Sequence, residues 1–271
     1  MLRREKYKLR FNRKRLARRS SPHRDQQFRQ INRLKKSFAL RGQPVISVDA
    51  KKRELVGLFK NAGRAWRRAP KDVDMYDFPS DAEGVAIPYG IYDVTLGDGF
   101  VVVGTSHNTP AFASHAIGQW WSHSGTTAYP AARELLILAD SGSSNGARVH
   151  GWKNGLQGMA NRTGLHITVA HYPTGASKWN PVEHRLFGPV SINWAGEPLV
   201  DHNTICQLIH STRTASGARC RVRLDRRHWP TQKDLAASGS APPKYLPLVI
   251  RHATVLPVLN YTIAPSSSAA E

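Results

Sequence analysis

ELLILAD, residues 134–140, is a short apolar run that ends in an acid, and PVISVD, residues 44–49, repeats the pattern nearer the N-terminus. Runs of this length, unbroken by alternation, read as strands buried on both faces of a sheet. Working outward from Asp140, SGSSNG (141–146) is a turn, Ala147 to Thr163 has helical texture, and LHITVAHY (165–172) is the next strand. Upstream, YGIYDVTL (89–96) and FVVVGTS (100–106) flank Gly97-Asp98-Gly99, a hairpin signal from glycines that tolerate positive φ. Pro110 opens a helical stretch to about Ser124 that carries Trp120 and Trp121, which read as packing residues. Downstream, Asn180 is placed to cap a helix beginning at Pro181. Strands with a hairpin, then helix, strand, helix, strand and helix in turn, predict an α/β layered sheet with helices on its faces.

The outer parts of the chain have a different texture. Residues 1–42 hold 16 of the 39 Lys and Arg, with Phe28, Ile31, Leu34 and Phe38 at helical spacing, so a basic helical arm is expected there. A core is expected over 43–215 and a C-terminal extension over 216–271. In the extension, RCRVRLD (219–225) reads as an edge strand, Ala236 to Pro243 as loop, and the last residues as disordered.

A net charge of +20 and a pI near 10.5 imply a polyanionic partner, because such a field concentrates phosphate and releases its counterions. No apolar run nears 18 residues and no signal-peptide pattern opens the chain, so no membrane partner is expected. The reading is a cytoplasmic, nucleoid-associated protein. Cys206 and Cys220 have neither CxxC spacing nor paired histidines, which fits a reducing compartment and argues against a structural zinc site. His107, His115 and His123 recur every eight residues but with no matching carboxylate pattern, and are not read as a metal site. Gly142, Gly146 and Gly151 lack the GK[ST] ending of a phosphate loop, and no GxSxG elbow surrounds Ser141, Ser143 or Ser144.

The chemistry is concentrated in three acids. Asp49 and Asp140 each end a strand, at the carboxyl edge where open α/β sheets bind ligands. In HYPTGASKWNPVEHRLF (171–187), Glu183 is the only acid between Asp140 and Glu197, set among Lys178, Trp179, His184 and Arg185. A lone carboxylate amid cations suits a metal ligand facing a polyanion. Three converging carboxylates suit two Mg²⁺ or Mn²⁺ ions about 4 Å apart, the arrangement that serves phosphoryl transfer. Each acid also has a structural alternative: a polar strand stop for Asp49, an Asx turn for Asp140, and a capping box with Asn180 for Glu183. Lys51, Lys52, Lys178 and Arg185 are candidates for phosphate contacts near the site, or else solvated charges.

The blocks HRDQQFRQIN (23–32), PVISVDAKKRELVG (44–57), PYGIYDV (88–94), LILADSGSSNG (136–146), HYPTGASKWNPVEHRLF and NWAGEPL (193–199) together resemble the insertion-sequence transposases of the IS-Azo-thirteen family. The resemblance covers roughly residues 10–215 and returns at NYTIAP (260–265); SKWNPVEHRLF is its most specific part. It implies an RNase H-like α/β fold and a DDE transposase in which Asp49, Asp140 and Glu183 are the metal-binding triad, Asp49 bridging both ions. It further implies DNA partners (element ends and target), a homo-oligomer on paired ends, and cleavage followed by strand transfer. It implies too an N-terminally truncated copy lacking a helix-turn-helix. Two other readings stand beside it: a non-catalytic DNA-binding remnant or transposition inhibitor, and an RNase H-like nuclease without strand transfer.

Overall fold

The computed structural model describes residues 22–239 and 244–266. The arm before residue 22 lies outside the described residues, as do residues 267–271 of the eight-residue tail expected to be disordered. Ala264 and Ser266 of that tail are instead hydrogen-bonded to Val249 and Asn161. The strands are β1 (Val45–Ala50), β2 (Glu54–Val56), β3 (Gly84–Asp93), β4 (Gly99–Gly104), β5 (Glu134–Ala139), β6 (His166–His171), β7 (Cys220–Asp225), β8 (Ile250–His252) and β9 (Asn260–Ile263). They form one mixed sheet in the order β7-β4-β3-β1-β5-β6-β9-β8, with β2 paired to β3. The helices are α1 (Arg24–Leu40), α2 (Pro110–Trp120), the short α3 (Thr126–Ala128), α4 (His150–Thr163), α5 (Gly188–Asn193), α6 (His202–Ser211) and α7 (Gln232–Ala237). Among the described residues no helix is long and apolar enough to cross a membrane.

The apolar runs are strands because the sheet is covered on both faces. Along β5, Leu135 and Ile137 enter the layer under α2 and α4, which holds Phe112, Ile117, Trp120, Trp152 and Leu156. Their neighbours Leu136 and Leu138 point the other way, against Ile31 and Phe38 of α1. Under β3, β4 and β7 the second face is closed by Val182, Leu186 and Phe187 with α5 and α6. Trp120 and Trp121 are both buried, as packing residues should be. The Gly97 hairpin forms, with Gly97 at φ 77° and the Asp93 carboxylate accepting from the Thr95 and Leu96 amides, each at 2.9 Å.

β1 runs antiparallel to β3 and parallel to β5. β4 is antiparallel to β3 and parallel to β7, and β6 is parallel to β5. The carboxyl ends of β1, β4, β5, β6 and β7 therefore share one edge of the sheet. RCRVRLD is an edge strand with Arg221 and Arg223 exposed. Residues beyond 215 are built into the same sheet, however: β7 closes one side while β9 and β8 close the other. The helix expected from Pro110 to Ser124 stays α-helical to Trp120 and widens to a π turn over Trp121–Gly125.

Candidate active site

The β1–β5 register pairs Val48 with Ala139, so carried one residue further it sets Asp49 beside Asp140 across adjacent strand ends. Asp49 is 7% exposed, and its Oδ1 accepts from the Ala50 amide at 2.7 Å. Asp140 Oδ1 accepts from the Gly142 amide at 3.3 Å, so the Asx-turn contact exists. That contact leaves the second carboxylate oxygen for the site.

Glu183 is delivered by a clamp between β1 and the chain after β6. Ser47, on the same face of β1 as Asp49, donates from Oγ to Asn180 Oδ1 at 2.5 Å and accepts from the Val182 amide at 2.9 Å. Asn180 Nδ2 donates to the Val48 carbonyl at 3.1 Å. The Asn180 side chain is thus turned into the sheet instead of capping the helix. The Glu183 carboxyl lies near enough to Asp49 to help raise it, and among the described residues it makes no bond back to Asn180 as a capping box would have it. Glu183–Phe187 form a π turn, a widening that recurs at functional sites because it re-aims a side chain. Phe187 and Val182 fit because the residue opposite Asp49 is Gly90: a Cβ there would lie 2.6 Å from Phe187 Cζ and 3.0 Å from Val182 Cγ2.

Burial, with the charges of Asp140 and Glu183, pushes the Asp49 carboxyl up to about 8. Burial, then the Glu183 charge, raises Asp140 as well. The Tyr89 hydroxyl is fully buried and has no hydrogen-bond partner among the described residues. Burial and the charges of Asp49 and Asp140 raise it well above its ordinary value. Carboxylates held together out of water destabilise one another until a cation joins them. Oxygen donors from three elements and an unpartnered buried hydroxyl fit a hard divalent cation such as Mg²⁺ or Mn²⁺.

Behind Asp140 lies a polar network that sequence reading missed. The His171 ring bonds the Asp140 carbonyl through Nδ1 at 2.7 Å and the Tyr261 hydroxyl through Nε2 at 3.1 Å. Tyr261 in turn accepts from Trp152 Nε1 at 3.1 Å. Gln27 of α1 donates to the His171 carbonyl at 2.8 Å and exchanges amide hydrogen bonds with Asn260 at 2.9 and 2.7 Å. Burial lowers the His171 ring to about 4, so it is neutral at pH 7. These residues lie as far apart in sequence as 27 and 260, so no spacing pattern marks them.

The four basic candidates divide. Lys51 and Lys52 line a groove with Glu183, Phe187 and Ser191. Lys51 is already paired with Glu54 at 2.9 Å and lies over the Trp194 ring. Arg185 is exposed and close enough to Lys35 on α1 to help lower that ammonium, after burial. Lys178 stacks its ammonium 4.1 Å from the Trp179 ring, which the Arg24 guanidinium also approaches at 4.4 Å. The structure does not bring Lys178 and Arg185 into the groove with Glu183.

Carboxylates from two neighbouring strand ends and a following helix, on a mixed sheet, define an acidic site of the kind that divalent cations occupy. The chain matches the family model described as the Rhodopirellula transposase DDE domain over residues 1–265, and it belongs to that family. Among solved structures it is similar to the Mos1 transposase paired-end complex with left transposon end, at a TM-score of 0.50 and 10% identity. That alignment covers 76% of this chain and 59% of the Mos1 chain. The Mos1 strand transfer complex aligns at 0.49 and 10% identity, over 76% and 58% of the two chains. The chain thus spans less than two thirds of the Mos1 length. The comparison with curated proteins gave no match. The family and the RNase H-like α/β fold expected from the sequence are both borne out.

Proposed function

We propose that the chain is the catalytic core of a DNA transposase that cleaves element ends and joins them to target DNA. Asp49, Asp140 and Glu183 would hold two divalent cations, Mg²⁺ or Mn²⁺. When bound, such ions lower the pKa of an attacking oxygen and neutralise charge on the phosphate being transferred. The observation that carries the reading is the Ser47–Asn180 clamp, which brings Glu183 onto Asp49 in a chain of this family. The chain's own residues supply position and charge. The clamp fixes the acids, His171 holds the turn at Asp140, and Lys52 and Lys51 face the groove where a phosphate backbone would run. The arm of residues 1–42 would add sequence-independent DNA contacts, and paired ends would need more than one copy. Its place of work is the cytoplasm, at the nucleoid.

The test is purified chain and its Glu183→Gln variant, incubated with Mn²⁺, a pre-nicked element end and supercoiled plasmid. Joined and nicked products are expected from the wild type alone. Nicking without joining would favour a nuclease, and products from neither, with DNA still bound, a binding protein. Nicking by Asp49→Asn at the wild-type rate would sink the triad.

A further inference from the structure

A second cluster sits on the same carboxyl edge, two strands from β1. The loop after β4 carries His107, the loop after β7 carries His228, and α7 carries Asp234. One ligand atom from each of the three lies within 4.8 Å of the others; among the described residues no other trio of His, Cys, Asp or Glu meets that spacing. Asp49, Asp140 and Glu183 do not meet it. Asp234 is fixed at the helix start, its Oδ2 accepting from the Thr231 amide at 2.7 Å and from the Thr231 hydroxyl at 2.9 Å. The His107 and His228 rings meet edge to face, their centroids 5.8 Å apart.

His107 Nδ1 is the informative atom. The atom is covered although the side chain is 44% exposed, it has no hydrogen-bond partner among the described residues, and it lies 3.9 Å from Asp234 Oδ2, too far for a hydrogen bond. Two ligands each about 2.0–2.1 Å from a tetrahedral zinc lie roughly 3.3 Å from each other, so a small closure would seat an ion between them. We propose that His107, His228 and Asp234 bind one zinc-class divalent transition ion, which ties the β7–α7 connection to the β4–α2 loop beside the catalytic groove. Two imidazoles and one carboxylate select Zn²⁺ or Co²⁺ over Mg²⁺, and three protein ligands leave a fourth position for water. The set contains no cysteine, so the argument from Cys206 and Cys220 against a zinc site does not reach it. His107 also lines a groove with Ala50, Lys52 and Arg53, so a bound ion would stiffen the wall of that groove.

The whole chain, stripped with chelator and dialysed, is titrated with Zn²⁺ by calorimetry and with Co²⁺ by visible absorption, both in excess Mg²⁺. The wild type, the Asp49→Asn/Glu183→Gln double variant and His228→Ala are compared. One equivalent is expected for the first two, with the absorption of tetrahedral Co²⁺. His228→Ala should weaken binding at least about 100-fold, since loss of even an outer-sphere partner costs about 10–100-fold. His228 is exposed, so the metal-free melting temperature of that variant should match the wild type. His107→Gln, if it also folds, should behave alike. No binding by the wild type, binding unaltered by His228→Ala, or binding lost with the catalytic acids would each overturn the proposal.

Discussion

At the scale of single residues, Asp49 is the acid most altered by burial and by its neighbours' charges. Its folded pKa of about 8 lies above the ordinary 3.8, so its contribution to stability is fullest below pH 4 and is lost as pH rises towards 8. Asp49→Asn should therefore stabilise the metal-free chain at neutral pH by on the order of 1–3 kcal/mol, while abolishing cleavage. Thermal melts in chelator at pH 5 and pH 8 check this: the variant's advantage should grow with pH, and an advantage that shrinks would refute it. His171 has the opposite sign. Its folded value of about 4 lies below 6.5, so the stability it confers is present above pH 6.5 and lost as pH falls towards 4. His171→Gln should flatten that acid limb in urea titrations, because the buried imidazole no longer has to take up a proton. The three acids are candidates in the sequence because each stands at a recognisable punctuation mark: two strand ends and an Asn-Pro helix start. His171 is not, since its partners Asp140, Tyr261 and Gln27 come from separate segments.

At the scale of elements, the decisive unit is β1 with the π turn over Glu183–Phe187. Asn180 reads in sequence as a helix cap, since Asn before Pro is a strong start signal. In the fold the same side chain spans Ser47 and the Val48 carbonyl, because a buried amide must satisfy its donors and acceptor, and the sheet offers both. Asn180→Ala should cost about 1–3 kcal/mol in denaturant unfolding. It should slow strand transfer by more than tenfold while leaving DNA affinity nearly unchanged; an equal loss of both would mean that the clamp does not position Glu183. Gly90→Ala belongs to the same unit. Its methyl group would meet Phe187 backed by Val182, so lower stability and lower activity are expected together, and a Phe187→Leu second change should restore part of each. Neither effect could be read from the sequence, where Gly90 is one glycine in a strand.

At the scale of the whole molecule, two sides of the sheet are completed by chain that follows the three acids. β7 joins β4 while β9 joins β6, so the segment expected as an appendage holds the ends of the core together. A change that unfolds β9 should therefore loosen Asp140 through Tyr261 and His171, and Tyr261→Phe should lower activity more than its small change in volume suggests. The net charge of +20 acts over the same scale. Binding to duplex DNA should weaken with salt, and Lys52→Ala should reduce the slope of log affinity against log salt by about one, as one lost phosphate contact does. A slope unchanged by Lys52→Ala would place the backbone elsewhere. What the sequence determined by itself was local or additive. The apolar runs specified buried strands, their terminal acids marked one edge of the sheet, the charge pointed to a polyanionic partner, and the motif blocks named the family. Only the tertiary structure decided what depends on long-range closure: the Ser47–Asn180 clamp, the Gln27–Asn260–His171 network, the sheet's completion by residues beyond 215, and the meeting of His107 with His228 and Asp234. The physical reason is that periodicity and punctuation record what a residue does to its own backbone. The partners that satisfy a buried donor or share a cation are chosen by the packing of distant strands.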